Sequence, residues 1–107
     1  MPSVASSPSV SVVILGTRRR ELERCLEALE AARPPRPREV FVVLNGAREI
    51  SLGDLLGWRA RLPLEVIAML AATLGRARNA AVRLSRGDVL VFLDDDATVP
   101  EGFFAAL

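Results

Sequence analysis

Hydrophobic residues form four short, nearly continuous runs along the chain. The runs span residues 10–15, 40–44, 64–69 and 89–93, and the first two are rich in β-branched side chains. Runs of this length without apolar/polar alternation are typical of strands that are buried on both faces of a sheet. The pattern therefore predicts four strands of a buried, parallel sheet.

Apolar residues at helical spacing lie between these runs. Residues 18–33 predict a helix whose buried face consists of Leu22, Cys25, Leu26 and Leu29. Thr17 is a suitable N-cap for this helix, and the prolines that begin at position 34 end it. Residues 74–85 predict a second helix, with Gly87 as its stop signal.

Two further segments are less regular. Residues 47–62 are ambiguous, because two glycines interrupt a spacing that would otherwise suit a short helix. Pro100 is typical of the first residue of a helix and predicts one that runs towards Leu107.

Strands and helices alternate, which predicts an α/β fold. The expected architecture is a Rossmann-like, doubly wound, mostly parallel sheet with helices on both faces. Residues 1–9 are rich in Ser and Pro and predict a flexible leader, so that residues 10–107 form the folded unit.

Composition narrows the possible chemistry. The 107 residues suffice for one domain, and the net charge of +1 provides no field that would hold nucleic acid. Histidine is absent, which excludes histidine bases and histidine metal ligands. The single cysteine, Cys25, excludes an internal disulfide and a cysteine zinc site, and its place on an apolar helix face makes it a core residue.

The sequence also bears on location. No apolar stretch reaches the roughly 18 residues of a membrane-spanning helix, and the first residues lack the charge pattern of a signal peptide. We expect a cytoplasmic protein, with any membrane association supplied by a further C-terminal part.

Polar clusters follow three of the predicted strands. They are Gly16-Thr17-Arg18, Asn45-Gly46 and Asp94-Asp95-Asp96. In an open parallel sheet, ligands bind outside the carboxyl ends of the strands, so these clusters share one candidate binding edge. Gly16 would allow close approach of a ligand, whereas Asn45-Gly46 alone suits an ordinary turn.

The acidic triplet is the most informative of these clusters. Three adjacent carboxylates repel one another unless a positive charge lies among them, and Mg²⁺ or Mn²⁺ shared with substrate phosphates is a common solution. The alternative is a set of solvated turns that cap the next helix. Arg76 and Arg78, at the start of the second predicted helix, could contact phosphate or simply face solvent.

Four segments together resemble family 2 inverting glycosyltransferases of the GT-A fold. They are residues 10–29, with an opening strand and a helix containing Arg-Cys-Leu; residues 39–47, with Val-Val-Leu-Asn-Gly; residues 74–87, with Ala-Arg-Asn; and residues 88–96, with Phe-Leu-Asp-Asp-Asp. The last contains the DxD motif of the family. The resemblance covers nearly the whole chain and implies its N-terminal, nucleotide-sugar-binding half.

The resemblance also implies roles for individual residues. Asp96 would bind Mn²⁺ or Mg²⁺, with Asp94 facing the nucleoside and also near the metal, and Asp95 would assist either. The remaining donor-binding residues implied by the family are Gly16, Thr17 and Arg18 around the nucleoside, Asn45, and Arg78 beside the DxD loop or the donor. The acceptor, a glycan, lipid or protein, is not specified by these motifs.

Two departures from the family pattern affect this interpretation. An acidic residue that reads the nucleobase often follows the second strand, but Leu44 and Asn45 occupy that position here. Family members also continue beyond the point that residue 107 matches, so the acceptor site and the catalytic base are expected outside this chain. The sheet edge and Phe103, Phe104 and Leu107 are then expected to be exposed and to favour self-association.

Two other functions fit parts of the sequence. Asp94-Asp95-Asp96-Ala97-Thr98-Val99 also matches the DxDx[TV] pattern of haloacid dehalogenase-type phosphohydrolases, although there the motif lies near the start of the domain. A non-catalytic α/β module that binds only nucleotide or cation is the remaining alternative.

Overall fold

The chain folds into a four-stranded sheet with helices between the strands. The computed structural model describes residues 8–16, 18–46, 50–70 and 72–107. Its elements, in chain order, are β1 (Val10–Gly16), α1 (Arg19–Ala31), β2 (Glu39–Asn45), α2 (Leu52–Leu56), a 3₁₀ helix (Gly57–Ala60), β3 (Leu64–Met69), α3 (Leu74–Leu84) and β4 (Val89–Asp94). All four strands predicted from the apolar runs are confirmed.

The sheet is wholly parallel and has the strand order β3-β2-β1-β4. Strand β1 lies between β2 and β4, with Val12 opposite Val40 on one side and Val91 on the other. The carboxyl ends of β1, β2 and β4 therefore lie side by side at one edge.

Helices cover both faces of the sheet, as predicted. On one face, the buried leucines of α1 pack with Val12 and Ile14, and α2 and Trp58 extend this core. On the other face, Ala77 and Ala81 of α3 pack against Val13, Phe41 and Val43. The two alanines are fully buried, and their small side chains let α3 lie close to the sheet.

The ends of helix α1 differ slightly from the prediction. Its N-cap is Arg18, which forms no side-chain cap, and Thr17 lies outside the described residues. The helix ends at Ala31, just before the prolines. The first seven residues of the predicted leader also lie outside the described part, whereas Ser9 forms hydrogen bonds with Asp88 and Val89.

The ambiguous segment contains two short helical turns. Ser51 and Asp54 form a reciprocal capping box at the start of α2, which stabilises a five-residue helix despite its glycine. Leu55, Trp58 and Leu62 then join the core of the α1 face. Residues 47–49 lie outside the described part of the chain.

The helix predicted from Pro100 is not formed. Residues 101–106 form consecutive hydrogen-bonded turns instead. The amide of Phe103 donates to the Pro100 carbonyl at 3.0 Å, and that of Ala106 donates to the Gly102 carbonyl at 3.1 Å. Hydrogen bonds between residues three apart and four apart are therefore mixed. Gly102 lowers the helix propensity of the segment.

The expected exposure of Phe104 is also wrong. Its side chain is only 2% exposed and belongs to the core of the α1 face, whereas Phe103 is half-buried and Leu107 is 44% exposed. The Arg33 amide donates to the Glu101 carbonyl at 2.7 Å, which fixes the segment beside the end of α1.

Candidate functional site at the carboxyl edge of the sheet

The candidate site lies where strands β1, β2 and β4 end. The strand register places Leu15 beside Asp94 and Gly16 beside Leu44. The loop after β1 therefore lies between the ends of β2 and β4. The three clusters lie at one edge, as predicted, because parallel strands all present their carboxyl ends to the same side.

The three aspartates have different environments. Asp95 is only 4% exposed, whereas Asp94 and Asp96 face solvent. The amide of Ala97 donates to the Asp94 carbonyl at 3.0 Å and closes a turn around the triplet. The middle carboxylate is therefore directed into the protein, and its two neighbours are directed outward.

Arg18 contacts the buried carboxylate through both its backbone and its side chain. Its backbone amide donates to one Asp95 oxygen (Oδ2) at 2.9 Å, and its guanidinium Nη2 donates to the other (Oδ1) at 2.9 Å. The guanidinium also lies 3.5 Å from Asp96 and 3.6 Å from Glu21. These carboxylates, with the Asp95 hydrogen bond first, raise the pKa of Arg18 above its ordinary value.

Glu21 is a site residue that sequence analysis did not identify. It lies in the first turn of α1, where a carboxylate interacts favourably with the helix dipole. Its position three residues after Arg18 is a helical ion-pair spacing, which is the signal that could have indicated it.

The exposed carboxylates of the triplet are too few to enclose a metal ion by themselves. No group of three or more His, Cys, Asp or Glu side chains that could hold a metal ion occurs within the described ranges. Because Asp95 is held by Arg18, Asp94 and Asp96 are the two carboxylates of the triplet that face solvent. Magnesium commonly uses one or two carboxylates together with substrate phosphates and water.

Asn45 is at the predicted edge, where it joins two loops. Its amide nitrogen donates to the Ala72 carbonyl at 2.6 Å, and its amide oxygen accepts from the Ala72 amide at 2.7 Å. Gly46 follows with a positive φ of 72°, and its amide donates to the Met69 carbonyl. Asn45 therefore fixes the loop between β3 and α3 against the end of β2.

Gly16 allows α1 to pack against strand β1. A Cβ atom at this position would lie 3.1 Å from the Leu22 side chain and 3.4 Å from Val42. The missing side chain thus accommodates the core next to the candidate site. Thr17, expected beside the nucleoside, lies outside the described residues.

Arg78 lies near the end of β4. Its guanidinium carbon is 5.7 Å from the centre of the Phe92 ring, and Phe92 precedes Asp94 by two residues. A cation–π contact of this kind holds the arginine beside the strand that carries the acidic triplet.

Cys25 is a buried core residue, as predicted. Its side chain is fully buried, and this burial, followed by the nearby charges of Asp95 and Asp96, raises the pKa of the thiol to about 11. The cysteine is therefore a protonated, apolar contact in the core of the α1 face.

Surface clefts occur at both edges of the sheet. A cleft of about 420 Å³ at the carboxyl edge is lined by residues from the end of β3 and the start of α3, including Thr73 and Arg76. A larger one, about 560 Å³, lies at the opposite edge among Arg38, Arg59 and Arg86. Size alone does not locate the site, because the acidic triplet lines neither cleft.

Comparison with known proteins identifies the family. The sequence model described as "Glycosyl transferase family 2" matches residues 9–107. The chain belongs to glycosyl transferase family 2. This match decides between the two enzyme classes considered from the sequence, in favour of the glycosyltransferases. Comparison with curated protein sequences gives no match.

Solved structures confirm the GT-A type of α/β fold. Staphylococcus aureus TarS (residues 1–349) superposes with a TM-score of 0.81 at 21% sequence identity, over 92% of this chain and 30% of that one. The TarS 1–349 complex with UDP-GlcNAc gives 0.80 at 21% identity, over 92% and 29%. The complex with UDP gives 0.76 at 24% identity, over 87% and 29%. The family 2 chain thus spans less than a third of these structures.

The helices of the described chain are short, and α1 has 13 residues. Among the described residues, no helix is long and apolar enough to cross a membrane.

Proposed function

We propose that residues 10–107 form the nucleotide-sugar-binding part of a family 2 glycosyltransferase. The observation that carries this proposal is the alternating exposure of the three aspartates at the end of β4. Asp94 and Asp96 are exposed at the binding edge, while Asp95 is buried between them. In a nucleotide-sugar site, two outward carboxylates suit a divalent cation and the groups that it bridges.

In the proposed complex, Asp96 binds Mn²⁺ or Mg²⁺, and Asp94 faces the ribose and the metal. The cation supplies neutralisation of the negative charge that develops on the leaving diphosphate. Gly16 and the loop fixed by Asn45 are next to the nucleoside, and the role that the family resemblance implies for Thr17 concerns a residue outside the described part of the chain. Arg78 holds the end of β4 from the α3 face.

Recognition of the base does not use the second-strand position where the family often has an acidic residue. Leu44 is only 7% exposed and belongs to the core, so its side chain is directed away from the edge. The following residue, Asn45, already forms two hydrogen bonds to the backbone of Ala72. We therefore choose uridine diphosphate as the test ligand from the TarS complexes with UDP and UDP-GlcNAc rather than from a base-reading residue here.

The decisive experiment is calorimetric titration of UDP with and without Mn²⁺. We expect Mn²⁺ to tighten UDP binding and Asp96→Ala to weaken that binding by roughly tenfold or more, about 1.4 kcal/mol, because a metal ligand is lost. Asp88→Asn is the matched control. Asp88 lies next to the other end of β4 and accepts from the Ser9 amide.

Comparison of Asp96→Ala with Asp88→Asn tests whether the metal binds at the acidic triplet. Asp88→Asn should bind UDP and Mn²⁺ like the unmodified chain. Equal Mn²⁺-dependent binding by Asp96→Ala and the unmodified chain would rule out the metal assignment at the triplet.

A further inference from the structure

We propose that Arg18 and Asp95 form a clasp that positions the metal-binding aspartates. The clasp consists of the two hydrogen bonds from Arg18 to the two oxygens of Asp95. This positioning role differs from the donor contacts that the family resemblance implies for the two residues. The inference rests on the proposed function, since its purpose is to present Asp94 and Asp96 to a metal–nucleotide ligand.

The clasp joins the loop after β1 to the loop after β4. Arg18 and Asp95 are 77 residues apart in the chain but follow neighbouring strands. One hydrogen bond comes from the Arg18 backbone amide and the other from its guanidinium, each 2.9 Å long. Because both carboxylate oxygens are engaged, the side chain of Asp95 has one defined orientation.

Burial makes this orientation important. Asp95 is only 4% exposed, and burial of a carboxylate is costly unless hydrogen bonds and an opposite charge compensate it. Without the Arg18 guanidinium, Asp95 retains only part of that compensation and is driven to turn towards water. An outward turn of Asp95 would disturb the tight turn that places Asp94 and Asp96 on the exposed side.

The contact between Arg18 and Asp96 is weaker than the clasp. The guanidinium lies 3.5 Å from an Asp96 carboxylate that is 61% exposed, and the Arg18 side chain is itself 50% exposed. Exposed ion pairs contribute little, so a cation can take Asp96 without breaking the two shorter bonds to Asp95. Arg18 can thus hold Asp95 while Asp96 binds metal.

Arginine rather than lysine is required by this geometry. The planar guanidinium donates in fixed directions, whereas a lysine ammonium acts as a single mobile charge. Arg18→Lys should therefore keep the positive charge near Asp95, which Arg18→Ala removes, but should fix the orientation of the Asp95 side chain only in part. Asp95→Asn tests the other partner, since it retains size and removes the negative charge.

Amide hydrogen exchange tests whether the clasp holds the loop. We expect Arg18→Ala and Asp95→Asn to speed exchange at Ala97 by roughly tenfold, the usual scale for loss of a charge-assisted hydrogen bond. Amides in the centre of β1 and β2 should be unchanged. Arg19→Ala is the matched control, because Arg19 pairs with Glu23 and Asp54 instead.

Mn²⁺-dependent UDP binding tests whether the clasp serves the ligand site. Arg18→Ala and Asp95→Asn should each weaken binding by roughly tenfold, with Arg18→Lys in between and Arg19→Ala unchanged. The double variant, Arg18→Ala with Asp95→Asn, should bind UDP no more weakly than whichever single variant binds it more weakly. This is expected because the two changes remove the same interaction.

The outcomes separate this inference from the proposed function. Unchanged exchange at Ala97 in both single variants would overturn the clasp, whatever happens to UDP binding. Faster exchange with unchanged UDP affinity, while Asp96→Ala loses affinity, would overturn the positioning role and leave the proposed function intact. If the unmodified chain shows no Mn²⁺-dependent UDP binding, the proposed function fails and the positioning role fails with it.

Discussion

Gly87 lies so close to strand β1 that a side chain does not fit there. A Cβ atom would be 2.5 Å from Ser11 Oγ and 2.6 Å from the Ser11 amide nitrogen. The Gly87 amide donates to the same Oγ at 2.8 Å, and Ser11 in turn donates to Glu39 at 2.7 Å. This fully buried hydroxyl therefore links β1, β2 and the turn before β4.

We expect Gly87→Ala to destabilise the chain by about 1–3 kcal/mol, the usual cost of forcing extra atoms into a packed site. Gly75→Ala is the control, because nothing lies within 4 Å of its Cβ position and alanine favours the helix. Urea unfolding of both variants checks the difference. A Gly87→Ala chain as stable as the Gly75→Ala chain would contradict the close approach.

Cys25 should be unreactive in the folded chain. With a pKa of about 11, roughly one thousandth of the thiol is ionised at pH 8, and the side chain is fully buried. A disulfide reagent should therefore label the chain rapidly in denaturant and very slowly without it. Rapid labelling under native conditions would show that the core of the α1 face opens.

The same thiol predicts a dependence of stability on pH. Its pKa rises from 9.0 in the reference state to about 11 in the folded chain, so the folded state binds the proton more tightly. The resulting stabilisation is complete below pH 9 and is lost as the pH rises towards 11. Cys25→Ala should remove this alkaline contribution, which urea unfolding across that range would detect.

At the scale of elements, Phe104 anchors the segment after Pro100 in the core of the α1 face. Phe104 is buried in the core of the α1 face, whereas Phe103 is half-buried, and their rings meet edge to face with centres 5.2 Å apart. We expect Phe104→Ala to cost about 3–5 kcal/mol and Phe103→Ala less, because more buried surface is lost at position 104. Thermal unfolding of the two variants measures this order. Equal costs would mean that the segment does not dock as described.

At the scale of the whole molecule, we predict nucleotide binding without sugar transfer by these 107 residues. Inverting transfer needs a base within hydrogen-bond distance of the acceptor hydroxyl, and the sequence contains no histidine. Glu21 and Asp95 are paired with Arg18. In the proposed site, Asp94 and Asp96 bind the metal, and a carboxylate that is bound to a cation is a poor base.

The measurement is incubation of the chain with Mn²⁺, UDP-sugars and a panel of glycan, lipid and protein acceptors. We expect Mn²⁺-dependent UDP binding, no glycosylated product and at most slow release of UDP by water. Metal-dependent product that Asp96→Ala abolishes would show that the chain is a complete transferase.

The sequence by itself determined the strands, their parallel arrangement and the edge where the polar clusters meet. Strands with continuous β-branched runs are apolar on both faces, so both faces must be covered by other layers. Because helices alternate with these strands along the chain, the sheet is expected to be parallel. The acidic triplet was located for the same reason, since it directly follows the fourth apolar run. Expected self-association and the cytoplasmic location stay predictions.

The tertiary structure alone decided how the individual side chains are used. Three adjacent aspartates look alike in sequence, but Arg18, which is brought beside them by the β1–β4 pairing, buries the middle one and leaves Asp94 and Asp96 outside. Asn45 is likewise directed to Ala72, 27 residues further along the chain, and Phe104 is directed into the core of the α1 face. Such roles depend on which strands become neighbours, and local propensity and spacing contain no information on the partner that a side chain finds across the fold.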